Sequence, residues 1–377
     1  MEEHEFDEIR PYNDQEIRSA IPRILADNAF HHMMDYLFTP EKKKIVISNV
    51  KKANNITEFQ RALTLEAVLS ILDKTTEGIT HSGFENINNL TNYVYLGTHR
   101  DIVLDSSILG LVHLILDYKI PQSVWGSNLM VSPLVVDLGK SNQMITVFRE
   151  GSPKELLLNS QRLSTYIRKS IAELNKSVWI AHRKGRAKNG FDKTDVSILK
   201  MLTLSGDTDI KSWLTQLNIV PVAMSYEWEP CDSMKVREIY LSMDSTYVKS
   251  DDEDLNSMIG GLTGEKGRIH LSLGTPINNE ILKIDNRNIN NNEFISMVAE
   301  IVDNQIYNNY KLWPSNYLAY DLLNNSTEFN NNYNDETRVI LENRYAQTTK
   351  ISQHENDDIR KIFLLLYANP LINKLKL

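Results

Sequence analysis

Short β-type runs alternate with helical segments from Tyr93 onward, and this alternation constrains the fold more than any other feature. One of the helical segments, Pro153–Leu174, has a proline near its start, where helices tolerate one. Strands that alternate with helices form largely parallel sheets with helices on their faces. The sequence therefore predicts an α/β fold with a mixed, largely parallel sheet flanked by helices. The β-type runs are YVYLG at 93–97, VWGSNL at 124–129, MITVF at 144–148, SVWIA at 177–181, IVPVAMSY at 219–226 and RIHLSLG at 268–274.

The segments on either side of this region have a different pattern. The first 75 residues are of helical type, with apolar residues at helical spacing over 57–73, whereas residues 76–92 are polar, rich in asparagine and predicted to form a loop. After Pro276 the strand pattern fades and helical patterns return. We therefore predict a helical N-terminal region at 1–75, an α/β domain at 76–276 and a helical C-terminal region at 277–377.

Composition limits the class of protein. Apolar residues make up 41% of the chain and charged residues 24%, as in soluble globular proteins, and the net charge of −8 argues against a general nucleic-acid binder. The single cysteine, Cys231, excludes an intramolecular disulfide and a cysteine zinc site. The acidic start, MEEHEFDEIRPYND, does not have the pattern of a signal peptide. No run approaches the roughly 18 apolar residues of a spanning helix, so we expect a soluble or peripheral protein.

Positive charge is concentrated in one part of this acidic chain. Residues 161–200 contain ten Lys/Arg and three acidic residues, and the densest cluster is RKGRAKNG at 183–190. A local concentration of this kind indicates an anion site rather than a general electrostatic field. The alternative for the cluster is an exposed basic turn.

A histidine and two carboxylates lie where a strand meets a helix, in YLGTHRDIVLDSSILGLV at 95–112. His99 follows the strand, and Asp101 and Asp105 come before or within the first helical turn. A carboxylate that holds an imidazole fixes its tautomer and makes it a general base. Either aspartate could instead serve only as a helix cap. Arg100, next to His99 in sequence, is expected to point elsewhere.

Basic residues end two further strands. The run MITVFR delivers Arg149 to the same sheet edge as His99, although an arginine at a strand end is often only a surface residue. The strand at 177–181 leads into a cationic turn in which a glycine permits close backbone approach and arginine can bind phosphate through two hydrogen bonds. Pro221 inside a β run predicts an edge strand or a bulge, and the glycine-rich stretch at 260–274 is predicted to be a turn. The residues of the cationic turn are His182, Arg183, Lys184, Gly185, Arg186 and Lys188.

The order of these blocks resembles that of the glycerolipid acyltransferases, which include glycerol-3-phosphate and 1-acylglycerol-3-phosphate acyltransferases. The family blocks are His-x4-Asp, a strand ending in Arg, Glu-Gly-x-Arg and a Val-Pro segment. EFDEIRPYND at 5–14 and HRDIVLDS at 99–106 look like a Bacteroidetes-type branch of that family. The resemblance covers most of the chain, with its motifs at 93–276, and it implies an acyltransferase-like α/β fold.

Two departures from the family pattern bear on the site. His99 and Asp105 are separated by five residues rather than four, so Asp101 or Asp105 must orient the imidazole. We favour Asp105, because the turn before the helix can absorb the extra residue. Lys184 stands where the family has glutamate, which puts the acceptor and the activity in question.

The resemblance implies transfer of a fatty acyl group from an acyl thioester, either acyl-CoA or acyl-acyl carrier protein, to a hydroxyl of a lysoglycerophospholipid-type acceptor. His99 would act as the general base, and Arg149, Arg183, Arg186 and Lys188 would hold the acceptor phosphate. No metal or other cofactor is expected. We expect a cytoplasmic protein that contacts the inner membrane peripherally and does not bind nucleic acid. The alternatives are an inactive acyltransferase fold that binds lipid or a partner enzyme and, less favoured, a thioesterase.

Overall fold

The computed structural model of the protein describes residues 5–206, 209–244, 246–248, 250, 252–353 and 355–377, so the first four residues of the acidic N-terminal segment lie outside it. Seven strands form one sheet in the order β1-β7-β6-β2-β5-β3-β4. Every neighbouring pair is parallel except β6 and β7, which are antiparallel. The predicted mixed, largely parallel sheet is thus confirmed. The strands are β1 Ile79–Ser82, β2 Val94–Gly97, β3 Gln122–Gly126, β4 Met144–Val147, β5 Val178–Ala181, β6 Ile219–Tyr226 and β7 Ile269–Leu273.

All six predicted β runs contain a strand, but β1 was missed. It lies within the segment predicted as a loop, and it pairs in parallel with β7 at one edge of the sheet. Three of its four side chains are exposed, so its sequence, ITHS, lacks the apolar run of an internal strand. The expectation for 124–129 was also shifted, since β3 ends at Gly126 and a 3-10 turn follows at Ser127–Leu129.

The sequence context of Pro221 predicted an edge strand or a bulge. The structure instead places Pro221 in an internal strand. It belongs to β6, which has β7 on one side and β2 on the other. The ladder with β7 runs from Val222 to Tyr226, and the carbonyl of Pro221 accepts a hydrogen bond from Gly274 at 2.8 Å, just beyond the last ladder pair. Pro221 thus pairs with Leu96 of β2 but lies one position beyond the last pair with β7, where a missing N–H does not interrupt that ladder.

Helices cover both faces of the sheet and form the two terminal regions. Internal strands are buried on both faces: Val94 and Leu96 of β2 pack in one cluster, while Tyr95 packs in the opposite one. The helices are α1 Asp14–Ala26, α2 Asn28–Leu37, α3 Pro40–Lys52, α4 Ile56–Phe59, α5 Leu65–Thr75, α6 Leu104–Ile115, α7 Pro133–Ser141, α8 Pro153–Ala172, α9 Val196–Thr203, α10 Ile210–Gln216, α11 Asp232–Leu241, α12 Asp252–Thr263, α13 Asn278–Lys283, α14 Asn291–Asn309, α15 Pro314–Asn324, α16 Asp335–Ser352 and α17 Asp357–Leu375.

Several helix starts follow from capping chemistry in the sequence. Asn13 and Glu16 form a capping box at α1, and Ser152 and Glu155 form another at α8, directly before the proline that starts that helix. A π-turn at Gln60–Thr64 interrupts the helix expected over 57–73, separating α4 from α5. Within the described residues, we find no helix with the length and apolar character needed to cross a membrane.

The glycine-rich stretch at 260–274 is not a single turn. Gly260 and Gly261 lie in the last turns of α12, and only residues 264–268 link that helix to β7. A methyl group added to Gly261 would approach Oδ2 of Asp101 to 2.1 Å. The absence of a side chain at Gly261 therefore lets α12 pack directly on the turn that carries His99.

Candidate functional site

The candidate site lies at the carboxyl ends of β2 and β5, which are neighbouring parallel strands. Ligand sites of α/β sheets commonly occupy this edge. The backbone N–H of His182 donates to the carbonyl of Gly97 at 2.8 Å, and that of Ala187 donates to the carbonyl of His99 at 2.7 Å. Two segments separated by more than eighty positions in the sequence, the His99 turn and the basic loop, are thereby joined through the backbone.

Asp105 is the carboxylate that faces the imidazole. Oδ2 of Asp105 lies 3.6 Å from Nδ1 of His99, longer than a hydrogen bond. That oxygen accepts the backbone N–H groups of Arg100, at 2.6 Å, and Asp101, at 2.9 Å. Asp105 is 2% exposed and His99 is 14% exposed, so the carboxylate is fixed within the protein while part of the imidazole reaches the surface. In structures without a ligand, contacts of this kind are often longer than in the complex with the ligand.

Asp101 serves the following helix. Its Oδ1 accepts the backbone N–H groups of Val103, at 2.8 Å, and Leu104, at 2.7 Å, which satisfies two of the donors at the start of α6. Its Oδ2 is buried without a hydrogen-bond partner. Burial, and after it the nearby charge of Asp105, raise the pKa of the Asp101 carboxyl. The two aspartates thus have separate places, one facing the histidine and one capping the helix.

Two aromatic residues that the sequence analysis did not single out complete the surroundings of the pair. Tyr226, the last residue of β6, donates its hydroxyl to Oδ1 of Asp105 at 2.8 Å, and burial followed by the charge of Asp105 raises the pKa of Tyr226 well above its ordinary value. Trp179 of β5 meets the His99 ring edge-on at 6.3 Å between centroids. In the sequence both residues have the pattern of ordinary strand residues. Their proximity to His99 and Asp105 follows only from the pairing of β5 and β6 with β2.

Arg100, as expected, points away from the imidazole. Its guanidinium is fully buried and pairs with the carboxylates of Asp192 and Glu229, and Lys235 pairs with the second oxygen of Glu229 at 2.8 Å. These four side chains carry two positive and two negative charges, so the cluster is neutral. Its members come from the His99 turn, the segment after the basic loop and the start of α11, which fixes those three segments to one another.

The residues of the basic loop have different environments. Lys188 pairs with Glu238, and Arg183 donates to the carbonyl of Phe191 at 3.2 Å. Lys184 is exposed. Gly185 has a φ of +69° and open space where a side chain would lie.

Arg186 differs from the other cations of the loop. It is 6% exposed, and its Nη1 is buried without a hydrogen-bond partner. It lies close enough to Asp101 to lower the pKa of that carboxyl, against the larger raising effects of burial and Asp105. Arg186 is therefore a largely buried guanidinium beside the His99 turn, and one of its nitrogens has no hydrogen-bond partner.

Arg149 lies farther along the same edge. It follows β4, which is separated from β2 by β5 and β3, and it is exposed. A side chain on Gly126, at the end of β3, would approach Nε of Arg149 to 2.9 Å, so the arginine lies over the end of that strand. The structure therefore groups His99, Asp105, Asp101 and Arg186 closely and leaves Arg149 to one side. Among the described residues, no group of three or more His, Cys, Asp or Glu side chains could hold a metal ion.

Comparisons with known proteins add a distant likeness in fold. No protein-family model matches the chain, and no curated protein matches it. One solved structure that it resembles is the 1-acyl-sn-glycerophosphate (LPA) acyltransferase PlsC from Thermotoga maritima, with 13% sequence identity and a TM-score of 0.36, over 77% of this chain and 92% of that one.

The buried cluster predicts a large effect of a small substitution. Glu229→Gln keeps the shape of the side chain but leaves Arg100 and Lys235 with one carboxylate between them. Removing one partner of a buried ion pair typically costs about 3–5 kcal/mol, so we expect the free energy of unfolding to fall by at least roughly 3 kcal/mol in urea titrations. Glu342→Gln is the matched control, because Glu342 pairs with Arg360 where both side chains are about 40% exposed; its effect should stay within roughly 1 kcal/mol. Equal effects of the two substitutions would contradict the structural role of the cluster.

Proposed function

We propose that the protein is an acyltransferase that moves an acyl group from a thioester to the hydroxyl of a phosphorylated glycerolipid acceptor. The observation that carries the proposal is the pairing of a partly exposed His99 with a buried Asp105 whose two oxygens are held by Arg100, Asp101 and Tyr226. An imidazole oriented by a fixed carboxylate is the arrangement of a general base. The order of motifs along the chain, which resembles that of glycerolipid acyltransferases, gives independent support.

The chemistry follows from the orientation of the ring. With Nδ1 directed toward Asp105, Nε2 of His99 removes the proton from the acceptor hydroxyl as its oxygen attacks the thioester carbonyl. The tetrahedral intermediate then expels the thiolate, which takes up the proton, and the ester product leaves. Asp105 stabilises the imidazolium that forms between these steps. General-base catalysis of this kind contributes roughly 10²–10⁴-fold to the rate.

Arg186 is the best placed group to bind the acceptor phosphate. Its unpartnered nitrogen, its burial and its position beside the His99 turn would place the acceptor hydroxyl against the imidazole. Arg183 donates to the carbonyl of Phe191, and Lys188 is paired with Glu238. Arg149 follows β4, and two strands separate β4 from β2, so Arg149 would contact a different part of the acceptor from the phosphate that Arg186 binds. The acyl donor is a thioester of coenzyme A or of acyl carrier protein, and the apolar chains of substrate and product bring the protein to a membrane surface.

The test of the proposal is release of free thiol from acyl-CoA and from acyl-acyl carrier protein, with and without lysophosphatidate, followed by analysis of the lipid product. We expect thiol release that depends on the acceptor and an equal amount of diacylated product. His99→Ala should abolish both while the thermal unfolding transition stays in place, because the variant lacks the proposed base. The exposed residue His32 supplies the control, since His32→Ala should be fully active. Free fatty acid without acceptor dependence would instead mean a thioesterase, and absence of any turnover would mean a binding protein.

The two aspartates should differ in their effect on the rate. Asp105→Asn removes the charge that faces His99, so kcat should fall by about two orders of magnitude or more, within the range of a lost general base. Asp101→Asn keeps an oxygen that can cap α6, and its loss of activity should be much smaller. Steady-state kinetics give the kcat of both variants, and the two values are compared at equal folded fractions. A larger loss for Asp101→Asn would transfer the orienting role to Asp101.

The basic loop should show one dominant residue. Arg186→Ala should raise the KM for a short-chain, water-soluble acceptor by about one to two orders of magnitude, since a charge-assisted hydrogen bond contributes roughly 1.5–3 kcal/mol. The donor KM should not change. Arg186→Lys should recover only part of the loss, because lysine lacks the planar fork. Lys188→Ala is the matched control and should affect the acceptor KM far less, because Lys188 is paired with Glu238. An acceptor KM that responds to Lys188 and not to Arg186 would refute this assignment.

A further inference from the structure

His182 belongs to the basic motif but has no role in the proposed reaction. It is the first residue after β5, and its side chain is completely buried. Its Nδ1 lies 3.3 Å from Oγ1 of Thr194, and that hydroxyl donates to Oδ1 of Asp303 on α14 at 2.5 Å. A chain of three polar side chains therefore runs from the sheet edge beside His99 to a helix on one face of the sheet.

The direction of the hydrogen bonds in this chain can be assigned. Oδ1 of Asp303 also accepts the backbone N–H of Thr194, at 2.8 Å. Burial raises the pKa of Asp303 to about 6, so at neutral pH its carboxylate is ionised and only accepts. The single hydroxyl proton of Thr194 is thus used on Asp303, and the threonine oxygen must accept from Nδ1 of His182. The proton of the imidazole is then on Nδ1.

The other ring nitrogen of His182 is consequently a bare acceptor. Burial, with the nearby charges of Arg183, His99 and Arg100, lowers the pKa of His182 to about 3, against a smaller opposite effect of Asp105, so the ring is neutral. Its Nε2 is buried without a hydrogen-bond partner. Buried acceptors of this kind are rare in proteins and call for a specific explanation.

A potential donor at the same sheet edge also lacks a partner. It is Nε of Arg100, which is buried. The backbone N–H of His182 donates to the carbonyl of Gly97 at 2.8 Å, so the His182 ring and the His99–Arg100 turn follow the ends of two adjacent strands. Nδ1 of His99 is directed toward Asp105 and is not the donor considered. One orphan acceptor and one orphan donor therefore lie at the same edge of the sheet.

We propose that His182 is a positioning residue for the site. Its Nε2, kept bare by Thr194 and Asp303, accepts a hydrogen bond from Nε of Arg100 through one water molecule, and so holds the turn that carries His99 in register with Asp105. The effect of His182 on catalysis rests on the proposed function. The position of the proton on the His182 ring does not depend on it. The groups that face the ring are Arg183 from its own loop, His99, Arg100 and Asp105 from the β2–α6 turn, Thr194, and through Thr194 the Asp303 carboxylate of α14.

The decisive variant is Thr194→Val, which conserves shape but removes the hydroxyl; Thr194→Ser restores it. In ¹⁵N spectra of histidine-labelled protein at neutral pH, His182 should carry its proton on Nδ1 in the wild type and in Thr194→Ser. In Thr194→Val that preference should be lost and the His99 resonances should shift. kcat should fall about tenfold, as expected for one lost hydrogen bond, with the KM values of donor and acceptor unchanged. The serine variant should recover the kcat.

Thr146→Val is the matched control, because Thr146 is a buried threonine of β4 whose hydroxyl has no partner. It should leave kcat and the His99 resonances as in the wild type. A proton on Nε2 of His182 in the wild type would overturn the inference, as would a Thr194→Val protein with unaltered His99 resonances. If the spectra behave as expected but the wild type transfers no acyl group, the positioning inference stands and the proposed function fails.

Discussion

The buried guanidinium of Arg100, the residue that follows His99 in the chain, is the constraint on which the rest of the site depends. Arg100 is completely buried, and an ionised side chain in that position is tolerated only with carboxylates at close range. Asp192 and Glu229 supply them from two segments that are remote in sequence, and Lys235 balances the second oxygen of Glu229. The position of the His99 turn therefore depends on the positions of the segments after β5 and β6.

The same arrangement explains why Asp105 is so well held. The backbone N–H of Arg100 is one of its donors, so the residue that anchors the turn also fixes the carboxylate that faces His99. Tyr226 adds a hydroxyl from the neighbouring strand. The position of the carboxylate is therefore set by two segments, the turn after β2 and the end of β6, and the proposed general-base role requires such a fixed position.

The distribution of positive charge separates binding groups from structural ones. Ten lysines and arginines between residues 161 and 200 are alike in the sequence, but the fold gives those of the loop different partners. Lys188 is paired with Glu238, Arg183 with a carbonyl, and Arg186 keeps a buried nitrogen without a partner. Charge density in a sequence thus marks a region, while the fold determines which of its cations are already paired and which one keeps a nitrogen without a partner.

The sequence by itself determined the α/β sheet, six of its seven strands, the helical flanks and the location of His99 at a strand end, because these follow from local periodicity, capping and turn chemistry. It missed β1, since an exposed edge strand has no apolar run, and it misplaced Pro221, because proline is tolerated wherever its missing N–H faces no ladder bond. It offered Asp101 and Asp105 as candidates to orient His99, and favoured Asp105. Only the tertiary structure separated them and brought Tyr226, Glu229 and Thr194 to the site, because contacts between strands and loops far apart in sequence depend on sheet order, which local patterns do not encode.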